Sequence, residues 1–114
     1  MYYLIVHLTI VPGMLRQFRD YERSALAILR RHGGELVTAF TPERSPVDDS
    51  QPDEIHVIRL ADRAGFEAFR ADSAHQALSE LRAQCVRNTT LYFSETTVTY
   101  EEGSRCGEVT VVDG

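Results

Sequence analysis

Several residue types that carry diagnostic information are scarce in this chain. It has no tryptophan and two cysteines among its 114 residues. The cysteines, Cys85 and Cys106, form no Cys-x-x-Cys pair, and two cysteines are too few for a disulfide framework. We expect both to be reduced thiols in a reducing compartment, with a Cys85–Cys106 disulfide as the alternative.

Targeting and membrane-spanning signals are also missing. The chain begins Met-Tyr-Tyr-Leu-Ile-Val-His, without the basic region and small-residue cleavage site of a signal peptide. No apolar run approaches the ~20 residues that a helix needs to cross a bilayer. We therefore expect a cytoplasmic protein with no membrane partner.

Basic residues are fewer than acidic residues in this chain. Twelve lysines and arginines stand against seventeen acidic residues, which gives a formal net charge of −5. A nucleic-acid surface needs a clustered basic stripe, so a nucleic-acid partner is not expected.

The sequence contains none of the common cofactor or nucleophile motifs. Gly-x-Gly-x-x-Gly, a Walker loop and Gly-x-Ser-x-Gly are all absent, which disfavours nucleotide cofactors and serine hydrolysis. The four histidines, His7, His32, His56 and His75, lack metal-ligand spacing. We expect neither a cofactor nor a metal.

What is present is an ordinary globular composition, 43% hydrophobic and 25% charged, in a chain of single-domain length. Alternating and helical periodicities predict strands over Tyr2–Ile10, 35–41, 55–61 and 90–100, and helices over 14–32 and from Asp62 to about Val86, restarting at Asp72 or Ser73. Residues 1–100 are predicted to form the domain. Residues 101–114 are a tail in which 108–113 could add a short strand.

This order of elements, βαββαβ, predicts an α+β protein of ferredoxin-like architecture. Its four-stranded antiparallel sheet should have the strand order four, one, three, two, with both helices on one face. The aliphatic side chains of the first strand suit the helix-covered face; they are Leu4, Val6 and Leu8.

The opposite face of this sheet would be left uncovered. It should carry Tyr3, Ile5, Ile55 and Val57, with Val37 and Tyr92. Such a patch is larger than soluble monomers usually expose, and a second copy packed sheet against sheet would cover it. We therefore expect a homodimer.

Four segments carry a resemblance to a known family: residues 3–8, the turn 32–34, residues 55–60 with the following Phe66 and Phe69, and the stretch 72–78. In them the chain resembles the dimeric α+β barrel superfamily, and within it the bacterial family called domain of unknown function 1330, distant kin of antibiotic-biosynthesis-type monooxygenases. The resemblance covers about the first hundred residues and implies the fold. Loop 42–54 is long for it, and Arg59 stands where an acidic residue was expected.

The uncovered sheet face, which would become the barrel interior, holds the candidate site residues. His7 should point into it, either as a core or interface residue or as a general base or ligand-binding group. Arg59 should lie near Tyr3, either paired with an acid such as Glu95 or anchoring an anionic substrate. Tyr92 should face the same cavity.

Three functions remain open from these residues. The first is a cofactor-free enzyme, monooxygenase- or isomerase-like, in which His7 moves protons while Arg59, Tyr3 and Tyr92 bind a small metabolite. The second is a non-catalytic module that binds a small molecule in the same place. The third is an interaction protein whose barrel interior is filled by its own side chains. A cavity of a few hundred cubic ångströms at the sheet–sheet interface would favour the first two.

Overall fold

The described part of the chain, residues 1–100 of a computed structural model, builds one antiparallel sheet with helices on one of its faces. The elements run β1 (Tyr2–Ile10), α1 (Leu15–Arg31), β2 (Glu35–Phe40), β3 (Glu54–Leu60), α2 (Arg63–Ala71), α3 (Ser73–Gln76), α4 (Ser79–Cys85) and β4 (Val86–Ser94). The sheet order is β2-β3-β1-β4, which confirms the predicted ferredoxin-like α+β topology. The expected tail strand, residues 108–113, lies outside the described residues.

The core lies between the sheet and the helices. From β1, the side chains of Leu4 and Leu8 are each 2% exposed. Around Leu4 pack Tyr2, Leu29, Ile58, Leu60 and Phe66, and around Leu8 pack Phe18, Tyr21, Ala25, Cys85 and Val86. Leu4 and Leu8 therefore face the helices, as the alternation of side chains along β1 predicted.

Glycine and aspartate residues determine where the helices end and begin. Gly33 adopts a φ of +81°, a left-handed conformation that terminates α1 at little steric cost. The side chain of Asp62 accepts a hydrogen bond from the Gly65 amide at 2.9 Å, which caps α2. Asp72 accepts from the Ala74 amide at 2.8 Å, and the helix restarts there as predicted.

The boundary of the last strand differs from the expected one. β4 begins at Val86 and ends at Ser94, whereas the sequence predicted residues 90–100. The cause is β1, which pairs with β4 from Ile10↔Val86 to Tyr3↔Ser94. Only Tyr2 of β1 lies beyond the Tyr3↔Ser94 pair, so a strand continued to residue 100 would have no backbone partners in β1.

No helix within residues 1–100 is long and apolar enough to cross a membrane. The expected cytoplasmic location stays a prediction.

The packing of α1 against the sheet should contribute strongly to stability, and Phe18 is the residue with which to test this because its side chain is fully buried. Phe18→Ala should lower the free energy of unfolding by about 3–5 kcal/mol, the usual cost of removing a buried ring. Leu15→Ala on the same helix is the control, since Leu15 is 49% exposed. Urea unfolding measures both, and equal losses would contradict this packing.

Candidate functional site

A partly open cavity of about 330 Å³ lies between the sheet and the helices. Most of its wall is apolar and comes from β1, α1, β3 and α2: Leu4, Val6, Leu8, Ala25, Leu26, Leu29, Ile58, Phe66 and Phe69. Its polar members come from α1, β3, β4 and the helices after β3: Tyr21, Glu22, His56, Arg70, His75, Arg82 and Thr89. Apolar walls with a few converging polar groups are typical of small-molecule sites.

His56 is the buried polar residue at the floor of this cavity, with 3% of its surface exposed. It shares the helix-facing side of β3 with Ile58 and Leu60. Its Nε2 lies 2.7 Å from Glu54 Oε1, and its Nδ1 lies 4.0 Å from Glu22 Oε1. Glu54 therefore hydrogen-bonds one nitrogen of the buried imidazole, while Glu22 lies beyond hydrogen-bond distance of the other and interacts with it through charge.

Glu22 reaches the same place from α1. It follows Phe18 by four residues and precedes Ala25 by three, so it lies on the buried face of the helix. Burial raises the pKa of its carboxyl above the ordinary value of 4.5, and the negative charge of Glu54 adds to this, while His56 and Arg82 oppose it. A carboxyl whose pKa is raised by burial on an apolar wall is a candidate for proton transfer.

Arg82 and His75 form the polar end of the cavity. An Nη of Arg82 donates to the Thr89 hydroxyl at 2.6 Å. Burial lowers the pKa of His75, and the nearby charge of Arg82 lowers it further. Burial raises the pKa of Tyr21, and Arg82 partly opposes that shift. The guanidinium is therefore a dominant positive charge at this end of the cavity.

The site residues predicted from the sequence lie on the other face of the sheet; they are His7, Arg59, Tyr3 and Tyr92. His7 and Tyr92 are brought together there, with ring centroids 5.6 Å apart in an edge-on arrangement. His7 pairs with Ile55 on one side and Thr90 on the other. Neither His7 nor Tyr92 lines the cavity described above.

Arg59 and Tyr3 are also brought together, but away from His7. They are direct partners in the β1–β3 register, four positions from the His7–Ile55 pair, about 13 Å along the strand. The guanidinium of Arg59 donates to Glu35 Oε1 at 2.6 Å. Glu35 on β2 thus supplies the counterion within the described chain, a role for which Glu95 was the named candidate.

Glu22 and His56 were not among the site residues predicted from the sequence, although the position of each in its apolar pattern was unusual. A glutamate inside the apolar stripe of α1, and a histidine in step with Ile58 and Leu60, are each a polar residue at a core position. Their meeting depends on how α1 crosses β3, which local patterns do not specify. Within residues 1–100, no three His, Cys, Asp or Glu side chains are arranged to hold a metal ion.

Fold and cavity together define a ferredoxin-like α+β protein in which a glutamate and a buried histidine lie at a small, mostly apolar cavity. The family described as "Domain of unknown function (DUF1330)" matches residues 1–96, and the chain belongs to that family. The resemblance inferred from the sequence is thereby confirmed. No curated protein matches the sequence.

Solved structures share the fold at low sequence identity. A protein of unknown function from Rhodopseudomonas palustris is 15% identical, with a TM-score of 0.74 over 86% of this chain and 83% of that one. An uncharacterised NIPSNAP domain protein from Burkholderia xenovorans is 15% identical, with a TM-score of 0.66 over 90% and 100%. An antibiotic biosynthesis monooxygenase is 18% identical, with a TM-score of 0.62 over 86% and 100%. At these identities the likeness establishes the fold alone.

The raised pKa of Glu22 should be visible in the pH dependence of stability. Between the ordinary value of 4.5 and the higher folded value, the folded state binds more protons than the unfolded state. The contribution of Glu22 to the free energy of unfolding therefore decreases as the pH rises between these two pKa values. Glu22→Gln should remove this decline, so its stability relative to the parent protein should increase from pH 4.5 towards pH 8.

The exposed Glu67 provides the matched control, because Glu67→Gln removes a carboxyl of the same kind from the surface of α2. Thermal melts of the three proteins across the pH range measure the effect. A parent-minus-variant difference for Glu22→Gln that stays flat with pH would contradict the raised pKa.

Proposed function

We propose that this protein is an enzyme that moves a proton on a small enolisable molecule bound in the cavity between sheet and helices. The observation that carries this proposal is the Glu22 carboxyl, held on an apolar wall beside His56 with a raised pKa. Glu22 is the general acid–base in this account, and His56 and Glu54 are positioning residues.

The proposed reaction is balanced without a cofactor. Glu22, as carboxylate, takes a proton from a carbon next to a carbonyl group. The electron pair of the broken C–H bond moves towards the carbonyl oxygen, which gives an enolate. In a substrate with a β,γ carbon–carbon double bond the enolate extends to a dienolate, and Glu22 returns the proton to the γ carbon, which moves the double bond into the α,β position and completes an isomerisation. A monooxygenase would share the first step and would additionally need molecular oxygen.

His56 and Glu54 support this step through geometry. Glu54 holds the imidazole at 2.7 Å through Nε2, so the Nδ1 edge faces the Glu22 carboxyl. Arg19, at the surface, contacts Glu54 at 3.6 Å and helps to keep that carboxylate in place. An oriented imidazole edge beside a carboxyl stabilises its charged form at the moment when it accepts or releases a proton.

The proposal predicts hydrogen–deuterium exchange at acidic carbons of bound substrates. In D₂O, a panel of small enolisable ketones such as phenylacetone should exchange faster with the protein than with buffer alone. Glu22→Gln should lower this exchange by about 10²–10⁴-fold, the usual contribution of general base catalysis. Glu67→Gln and His7→Ala should leave it unchanged, and proton NMR measures all four proteins.

The second candidate function is a non-catalytic binding module, which the same cavity would serve. Panel members that bind in the cavity without faster exchange would contradict the enzyme proposal and favour this one. Loss of exchange in His7→Ala, with Glu22→Gln still active, would instead support the roles predicted for His7, Arg59, Tyr3 and Tyr92 on the other face.

We also propose that the chain works as a homodimer through the outer face of the sheet, opposite the helices. Ile5, Ile55 and Val57 are only half-buried there, and Phe40 and Tyr92 are 47% and 59% exposed. An apolar sheet face of this kind is suited to packing against a second sheet. The cavity on the helix side stays accessible in such a dimer.

Val57→Asp tests the dimer, because it would place an unpaired charge at the centre of the proposed interface. Sedimentation should show twice the chain mass for the parent protein at micromolar concentration and a single chain for the variant. Glu67→Asp, on the exposed side of α2, is the control and should stay dimeric. A folded monomeric parent protein would contradict the proposal.

A further inference from the structure

Within the described residues, no carboxylate oxygen lies within 4.0 Å of the arginines at one end of the cavity, although the Glu22 carboxyl is close enough to Arg82 for their charges to interact. Four arginines of the described chain each have a carboxylate oxygen within 4.0 Å; they are Arg19, Arg23, Arg44 and Arg59. Within residues 1–100, Arg82 and Arg70 have none. Both of them line the cavity.

Arg82 is fixed in place but keeps donors to spare. It is half-buried and uses one Nη–H on the Thr89 hydroxyl at 2.6 Å. A guanidinium carries five N–H donors, so most remain available to a ligand. The Glu22 carboxyl interacts with this charge without a direct ion pair, so a bound anion could add a hydrogen-bonded partner to the half-buried guanidinium.

Arg70 and His75 stand on the same side of the cavity. The Arg70 guanidinium lies 5.7 Å from the centre of the Phe66 ring, and the His75 ring packs on Phe69 at 4.2 Å between centroids. Arg70, His75 and Arg82 also line an adjoining cleft, whose wall includes Gln76 and Ser79. The end of the cavity shared with this cleft is therefore positive, while most of the cavity wall is apolar.

We infer that the cavity binds a small monocarboxylate with an apolar body, whose carboxylate is held by Arg82 and Arg70 while the body lies against Leu26, Leu29 and Phe66. This inference rests on the proposed function in that it adds, to the enolisable carbonyl group of that substrate, a separate carboxylate that anchors it in the same site. The planar guanidinium fork matches a carboxylate through two parallel hydrogen bonds. A volume of about 330 Å³ holds roughly ten non-hydrogen atoms, judged from the ~30 Å³ that one water occupies in the liquid.

The probes are phenylacetate and 2-phenylacetamide, which have the same number of non-hydrogen atoms and differ in charge. Calorimetric titration at pH 7 should show phenylacetate binding about tenfold or more tightly than the amide, the ratio expected for a charged hydrogen-bonded pair. Arg82→Gln should remove this preference by weakening phenylacetate binding and leaving amide binding unchanged. Arg87→Gln, on an exposed position of β4, is the control and should keep the parent preference.

Arg70→Gln is the second variant, since Arg70 is exposed and its replacement should not disturb folding. It should weaken phenylacetate binding several-fold, and it decides the question alone if Arg82→Gln fails to fold. Absence of phenylacetate binding at millimolar concentration, equal binding of the amide, or unchanged affinity in the arginine variants would overturn the inference.

Glu22→Gln separates this inference from the proton-transfer proposal. The variant should still prefer phenylacetate, because Glu22 is not the anion anchor. Charge-selective binding without any proton exchange would leave the substrate class standing and remove the enzymatic step. Exchange on neutral ketones without charge-selective binding would support the enzymatic step and remove the proposed substrate class.

Discussion

The alternation of side chains along β3 places an imidazole in the layer that packs against the helices. Ile58 and Leu60 must face the helices to complete the core, and the two-residue period then sends His56 the same way. A one-residue shift of register would free the histidine but would expose both apolar side chains. The buried histidine is thus fixed by packing, and its surroundings have to satisfy it.

Two half-buried carboxyls lie beside the buried His56 ring. Glu54 comes from the same face of β3, and Glu22 comes from the buried side of α1. Burial makes the charged form of Glu22 unfavourable and raises its pKa. A purely structural core would place an apolar residue at this helix position, so the retained carboxyl is a stability cost of the kind that functional sites carry.

Most of the fold could be predicted because the signals for it are local. The first strand alternates cleanly, the Gly33-Gly34 turn ends α1, and Asp62 and Asp72 cap the helices that follow. The start of β4 could not be predicted in this way, because the length of β1 and its pairing with Val86 decide it. Residues 95–100 have strand-forming composition, but they lie beyond the end of β1.

The candidate site shows the same division between local and long-range information. The sequence correctly separated the two faces of the sheet and placed His7, Tyr3, Arg59 and Tyr92 on the outer one. It could not show that a cavity remains on the inner face, because that depends on the distance at which the helices cross the strands. The charges of Glu22, His56 and Arg82 converge only through contacts distant in sequence.

The central claim is that Glu22 is a buried carboxyl poised to exchange a proton inside this cavity. The most direct measurement is a carbon-13 NMR titration of the Glu22 side-chain carboxyl in the folded protein, assigned by comparison with Glu22→Gln. The account predicts a midpoint clearly above the ordinary value of 4.5. A midpoint at or below that value would show an ordinary ion pair and would contradict the account.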